Sequence, residues 1–512
     1  MLLIYPPAAK PCEPPAGIAK LAGALRSRGI RYSVVDANLE GQLYLMNLTG
    51  ARTGGAYDTW TGRAVRNLSR NLSALRDRKT YRSFDRYSRA VMDVNRALER
   101  AVLPNGITLS LANYQHKSLS PLRSSDLLRA AEQPELNPFY PYFRDRLRGL
   151  LERDNPSLVG FSLTYLNQAL CAFAMLGFLR REYPALTLVC GGGLVTSWLR
   201  RPDRYIENHK PFAGLIDQLI EGPGEKALLA LAGIPDEQEK HSTPNYDILP
   251  LNEYLSPGVI LPYSGSSGCI WKRCSFCPER AEDNCYVPVG VEKAAADLSS
   301  LVDKHKPALI HLLDNSISPA LMASLSDSPP GAPWYGFARI GQDLADSDFC
   351  ISLKRSGCVM LKLGIESGDQ DVLDRMQKGI DLETVSVVLK NLRRADISAY
   401  VYLLFGTPEE TPAGARKTLE FTVRHSWEIG FLNLALFNMP AGAPEALTFR
   451  TTEFYNGDLS LYTDFAHPQG WDRKRVRQFI DIEFRRHPAI SMILKKDPPV
   501  FTSNHAPFFV ME

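Results

Sequence analysis

The sequence has 512 residues, with 59 Lys and Arg against 56 Asp and Glu and a formal charge of +3. At about 100–200 residues per domain, that length leaves room for roughly three domains, each with its own core. So small a positive excess carries no electrostatic footprint for nucleic acid, and no nucleic-acid partner is expected.

Nine cysteines, an odd number, occur in a chain whose start, Met1-Leu-Leu-Ile-Tyr-Pro-Pro, has no basic segment ahead of its short apolar run. This usage points to a reducing compartment, with some thiols on metal and others simply buried, and to a cytoplasmic protein.

A strand is expected over Leu2–Tyr5, followed by a Pro-rich loop holding Cys12, a helix from Pro15 to Arg28 stopped by Gly29, and a strand over Tyr32–Asp36. From about Gly41 to Asn155 the chain turns rich in Arg, Ser and Leu, with helical spacing in Thr61–Leu75, Arg86–Val102 and Leu122–Glu132. This reads as a helical insertion able to cap a ligand or help form a substrate pocket, its arginines making a solvated face. Asn137-Pro-Phe-Tyr-Pro-Tyr142 reads as a turn cluster.

Ser157 to Leu179 carries no charge and is long enough for a bilayer, but Ser162, Thr164, Asn167 and Gln168 interrupt it. The expectation is a buried strand, Leu158–Thr164, a turn and an amphipathic helix ending at Arg180-Arg181, with no membrane partner. Leu186–Gly193 is a strand running into the glycine turn Gly191-Gly192-Gly193. A strand over Leu215–Glu221 leads to Gly222-Pro-Gly224-Glu225 and a helix through Leu231. Alternating strands and helices give an open parallel sheet whose ligands lie beyond the carboxyl ends of the strands. At such an end, Gly191, Gly192 and Gly193 let a large flat or phosphate-bearing ligand approach the backbone, or merely connect two elements.

A polar linker spans 236–257. Then comes Gly265-Ser-Ser-Gly-Cys269-Ile-Trp271-Lys-Arg-Cys274-Ser-Phe276-Cys277-Pro278. Three thiols so close cannot form a disulfide framework, and beside Lys272 and Arg273 they can serve one soft metal centre. Two chemistries fit: a zinc site completed by Cys285, or an iron-sulfur cluster on three cysteines that keeps one iron open.

From Val259 the chain repeats strand then helix about six times, with strands at Val259–Tyr263, Ala308–Asp314, Trp334–Ile340, Val359–Glu366, Ala399–Gly406 and Leu432–Met439. Helices between them include Val291–Lys306, Leu382–Arg394 and Pro412–Glu428. The domains expected are 1–235 (open sheet, Rossmann-like, with the insertion at 41–155), 258–447 (a partial, TIM-like (β/α)6 barrel) and 448–512 (a small C-terminal segment).

The cysteine loop resembles the signature loop of the radical S-adenosylmethionine (SAM) enzymes, in which three cysteines hold a [4Fe-4S] cluster and an aromatic residue, here Phe276, precedes the last. The commonest spacing of that family has one residue fewer between the first two cysteines; here four residues separate Cys269 from Cys274. The resemblance implies Cys269, Cys274 and Cys277 as cluster ligands and a SAM site at the strand ends. There Asp314 would face the SAM amino group, Arg339 a carboxylate, Glu366 with Ser367 in Gly364-Ile-Glu-Ser-Gly368 the ribose, and the Gly406-Thr-Pro-Glu-Glu-Thr411 loop the adenine. Taken singly, each acid is as readily a helix cap or an ion-pair partner.

The first domain resembles the cobalamin-binding domain of one subgroup of that family, through Pro6-Pro7, Asp36-Ala-Asn38-Leu-Glu-Gly41, Gly160-Phe-Ser162-Leu-Thr164, Gly191-Gly192-Gly193 and Glu221-Gly222-Pro-Gly-Glu225. In related methyltransferases a histidine at the position of Asn38 reaches the cobalt, so the resemblance implies no imidazole ligand here. A flavodoxin-like domain that has lost its ligand would share the same alternation. The ending, Pro498-Pro-Val-Phe-Thr-Ser-Asn-His505, is also similar to that subgroup's, with His505 read as packed.

The implied function is a cobalamin-dependent radical SAM methyltransferase acting on an unactivated carbon of a small molecule or peptide, served by an electron donor such as flavodoxin or ferredoxin. A cyclase or rearrangement enzyme with the same cofactors, and a four-cysteine zinc binding module, are the alternatives.

Overall fold

The computed structural model describes residues 1–51, 58–103, 106–201, 211–234, 241–499 and 505–510. Two units divide the chain, one built on Met1–Val259 with Tyr455–Leu461, the other on Ile260–Phe454 with Tyr462–Pro498. Residues 236–240 of the expected linker and 500–504 of the C-terminal motif lie outside the described residues.

In the first unit, β1 (Leu2–Tyr5), β2 (Ser33–Asp36), β3 (Leu158–Ser162), β4 (Thr187–Gly191) and β5 (Gln218–Leu219) form one parallel sheet in the order β2-β1-β3-β4-β5. That is a doubly wound order, with its switch point between β1 and β3. Helices cover the strands, and β1 and β3 are buried along their whole length, so they read as unbroken apolar runs. The helix α1 (Ala16–Ser27) follows β1, and α2 (Ala37–Ala51) starts directly at the end of β2.

The insertion is helical as expected: α3 (Thr59–Arg66), α4 (Leu68–Arg76), α5 (Phe84–Val102) and α6 (Ser124–Glu132), with a small hairpin, Ile107–Leu109 and Tyr114–His116. Two expectations are corrected. The turn cluster at 137–142 runs into a helix, α7 (Tyr140–Asp154), because Pro141 stands in its first turn, where a missing N–H leaves no bond unmade. The helix α8 (Ala169–Glu182) is not amphipathic: every residue from Ala169 to Leu179 is buried. The insertion covers the side that would otherwise face water, with Phe143 of α7 packing its ring 6.0 Å from Phe178. No helix among the described residues is long and apolar enough to cross a membrane.

Residues 243–255 pack on the sheet unit: Asn245 N–H donates to Ala19 O (2.8 Å), Leu255 N–H to Pro11 O (2.8 Å) and the Tyr254 hydroxyl to Asp36 Oδ2 (2.7 Å).

In the second unit, β6 (Ile260–Tyr263), β7 (Leu309–Ile317), β8 (Trp334–Ala338), β9 (Cys358–Glu366), β10 (Ser398–Phe405) and β11 (Ile429–Leu436) lie side by side in chain order, all parallel. Helices join them, among them α9 (Val291–His305), α10 (Leu382–Arg394) and α11 (Pro412–Arg424). This is the expected six-stranded partial barrel. The strand β7 runs three residues past Asp314, β8 stops just before Arg339, and β11 begins at Ile429, ahead of its expected start. His505 is buried with its ring 4.4 Å from those of Tyr400 and Phe431.

Candidate functional site

The cysteine loop leaves the carboxyl end of β6, the face on which parallel barrels carry their chemistry. Its start is tied to β7: Asp314 Oδ2 accepts the Gly265 N–H at 3.0 Å, and Asn315 Nδ2 donates to Gly268 O at 3.2 Å. Its middle is tied to the segment after β9, where Trp271 Nε1 donates to Gln377 O at 2.9 Å and Ser275 N–H to Met376 O at 3.0 Å. Phe276 lies under the Lys378 ammonium, 5.5 Å from ring centre to nitrogen, and Lys378 pairs with Glu366 at 2.9 Å.

Cys274 is buried, Cys269 and Cys277 are half-buried, and Cys285 is exposed. Burial raises the Cys274 thiol, opposed by the positive charges of Lys378 and Arg339, and pushes Cys277 up to about 11. No three Cys, His, Asp or Glu side chains among the described residues are arranged to hold a single metal ion.

The residues expected at the SAM site all reach this end of the barrel, but most already hold the loop or its surroundings. Asp314 is buried and grips Gly265 and Ser266. Arg339 donates Nη2 to the carbonyls of Lys378 and Gly379 and stacks under Trp271. Ser367 is fully buried against Thr418. Gly406 gives its N–H to Glu410 Oε2 at 2.6 Å. Among the described residues, Glu409 Oε2 and Glu410 Oε1 are buried without a hydrogen-bond partner, and burial pushes Glu410 up to about 7. Trp271 and Lys378 were missed by sequence reasoning: Trp271 stood inside the motif as an unassigned aromatic, and Lys378 lies on a loop with no pattern of its own, whereas Glu409 falls within the Gly406–Thr411 loop expected at the adenine.

In the first unit, Ser162, Gly191, Gly192 and Gly222 line one cavity of about 200 Å³ at the sheet, together with Gly17, Gly160 and apolar side chains of Leu3, Ile18, Val189 and Leu228. Gly192 has φ +103, and a Cβ there would stand 2.4 Å from Leu163 O, so the turn at the end of β4 admits only glycine. Gly193 begins the helix that follows this turn, and Thr164 is exposed with its N–H on Gln168 Oε1. Glu221 pairs with Arg200 at 2.7 Å. Asn38 does not line this cavity. It is 1% exposed, and its Oδ1 accepts the Ala9 N–H at 2.7 Å and the Gln42 amide at 2.8 Å, holding the Pro-rich loop to α2.

No protein-family model matches the chain. It is 24% identical over 238 residues, 42% of its length, to an uncharacterized methyltransferase of Pyrococcus horikoshii. Over 81 residues, 16% of its length, it is 30% identical to the bacteriochlorophyllide d C-12(1)-methyltransferase of Chlorobaculum tepidum. The chain spans about half (51%) of the first relative and 18% of the second. Among solved structures it is similar to the radical SAM methyltransferase TsrM of Kitasatospora setae, with cobalamin and an iron-sulfur cluster bound (TM-score 0.52, 15% identity, covering 88% of this chain and 77% of that one). It is also similar to the cobalamin-dependent SAM radical enzyme OxsB with aqua-cobalamin bound (TM-score 0.53, 15% identity, 66% and 60% covered). At such identities the likeness is one of architecture, and the chain has the fold of the cobalamin-dependent radical SAM enzymes.

Proposed function

We propose that the chain is a cobalamin-dependent radical SAM enzyme that transfers a methyl group to an unactivated carbon of a small molecule or peptide. The observation that carries this reading is the single loop at the end of β6 that carries Cys269, Cys274 and Cys277 within nine residues, with Cys274 buried and Cys285 exposed. Three thiolates suit a four-iron cluster with one iron open, whereas structural zinc takes four protein ligands. The fold neighbours' bound cofactors and the relatives' names as methyltransferases support the same reading.

The rest of the site fits these groups. Glu366 and the buried, unpartnered oxygen of Glu409, whose other oxygen meets the Ser275 hydroxyl of the loop, offer acceptors for the hydroxyls and amines of SAM. The glycine-lined cavity under Ser162 has the size and apolar walls for a flat heteroaromatic portion of cobalamin. Asn38, held by Ala9 and Gln42, supplies nothing to a cobalt. Bound there, the cluster with SAM supplies a carbon radical for hydrogen abstraction, and cobalamin supplies the methyl group. This chain's residues orient and shield: Phe276 and Lys378 close one side of the loop, and Asp314 and Asn315 hold its start. An external electron donor, a flavodoxin or ferredoxin, completes the system.

A second reading keeps the cofactors and changes the reaction to cyclisation or rearrangement. It draws on the fold shared with OxsB, a cobalamin-dependent SAM radical enzyme.

Anaerobic reconstitution with iron, sulfide and cobalt quantification tests the cofactors. Four irons per chain, lost in Cys269→Ala, Cys274→Ala and Cys277→Ala and kept in Cys285→Ala, are expected; zinc bound through Cys285 would overturn the reading. Incubation with methyl-labelled SAM and candidate metabolites then tests the reaction by mass spectrometry. Label in a product formed alongside 5′-deoxyadenosine is expected, and an unlabelled product would move the assignment to the second reading.

A further inference from the structure

Four consecutive carbonyls, from Met376 to Gly379, accept hydrogen bonds from the cysteine loop or from Arg339. Ser275 N–H reaches Met376 O (3.0 Å), Trp271 Nε1 reaches Gln377 O (2.9 Å), and Arg339 Nη2 reaches both Lys378 O and Gly379 O. The indole of Trp271 lies 3.9 Å from the Arg339 guanidinium and 5.0 Å from that of Arg273. A Cβ on Gly379, whose φ is +65, would stand 2.2 Å from the indole and 3.0 Å from Arg339. The indole therefore fits only because position 379 has no side chain. Lys272, next to Trp271, has φ +46, a reversal that turns the chain back toward Cys274.

We propose that Trp271 and Arg339 form a brace that sets the pose of the cysteine loop before any metal arrives. Arg339 is then a positioning residue with its guanidinium occupied, in place of the substrate or SAM carboxylate contact expected from its strand-end position. Its charge stands beside Cys269 and Cys274, so it also favours an added electron on whatever those thiolates hold. The inference rests on reading the loop as a cluster site.

The test uses the full chain with Trp271→Phe, Trp271→Ala, Arg339→Lys and Arg339→Gln. In metal-free protein, Trp271→Ala should raise the alkylation rate of Cys274 severalfold, and Trp271→Phe, which keeps a ring on the guanidinium, should stay near wild type. Arg339→Lys cannot stack flat and bridge two carbonyls at once. It should reproduce the rise, which keeps the question answerable if Trp271→Ala fails to fold. After reconstitution, Arg339→Gln should move the midpoint potential to more negative values, while Arg339→Lys should move it less. Unchanged alkylation in both Trp271→Ala and Arg339→Lys would overturn the brace, and an unshifted potential in Arg339→Gln would overturn the effect of the Arg339 charge. A wild-type chain that takes up no iron would sink the cluster reading instead, while the alkylation rates still decide the brace.

Discussion

Ser266 donates its hydroxyl to Asp314 Oδ1 at 2.5 Å, and the same carboxylate takes the Gly265 N–H on its other oxygen. An acid that the resemblance places at the amino group of SAM is thus an anchor for the loop that carries the cysteines. Removing it strands two donors at a buried site, worth about 1–3 kcal/mol for each unsatisfied group. Asp314→Ala should lower the urea stability of the metal-free chain by that order and abolish iron uptake, whereas Asp314→Asn, which keeps one acceptor, should lose less. Equal behaviour of the two variants would show that the anchor is not what matters.

Asn38 is the second position where burial decides the role. Its carboxamide oxygen is already shared by Ala9 and Gln42, so a histidine there loses both bonds and points into packed protein. Asn38→His is expected to cost about 1–3 kcal/mol and to leave the electron paramagnetic resonance spectrum of bound cob(II)alamin without nitrogen splitting from a protein imidazole. Nitrogen splitting in the variant would place residue 38 at the cobalt.

The glycines around the 200 Å³ cavity should separate into two kinds. Gly192→Ala forces a side chain into a left-handed conformation and against Leu163 O, and should destabilise the chain by at least about 1–3 kcal/mol. Gly17 lies in α1, where an added Cβ makes only an ordinary 3.7 Å contact with Ser162 Oγ. Gly17→Ala should therefore raise stability slightly, by up to about 1 kcal/mol. Gly17→Leu should fill the opening and weaken cobalamin retention at unchanged fold. Retention of cobalamin by Gly17→Leu, measured after gel filtration, would count against the cavity as its site.

Glu410 predicts a pH dependence. Burial raises its native pKa from 4.5 to about 7. Between those values the native state therefore holds a proton that the unfolded state has released, and its contribution to stability falls as pH rises. Both of its hydrogen bonds, from Gly406 N–H and Trp471 Nε1, go to one oxygen, which a glutamine can retain. Glu410→Gln should remove that fall, on the order of 3 kcal/mol between about pH 4.5 and 7, in denaturant titrations compared across pH. Parallel stability curves for variant and wild type would rule the effect out.

Much of the architecture was legible in the chain. The apolar runs at Leu2–Tyr5, Leu158–Ser162 and Cys358–Glu366 belong to parallel strands buried on both faces, and burial of that kind leaves a continuous hydrophobic signature. The placement of Cys269, Cys274 and Cys277 on one short loop was legible because their spacing alone limits how far apart they can lie. The helix after Gln168 was misread as half-exposed because the chain that covers it, Tyr140–Asp154, carries no local sign of where it will pack. The strand-end residues show the same limit more sharply. Periodicity located Asp314, Arg339 and Glu366 at one end of a barrel, and that much the sequence by itself determined. Whether each side chain turns to a ligand or to the protein depends on what other loops bring to the same mouth. Only the tertiary structure decided that, by placing Ser266 on Asp314, the carbonyls of Lys378 and Gly379 on Arg339, and Lys378 on Glu366.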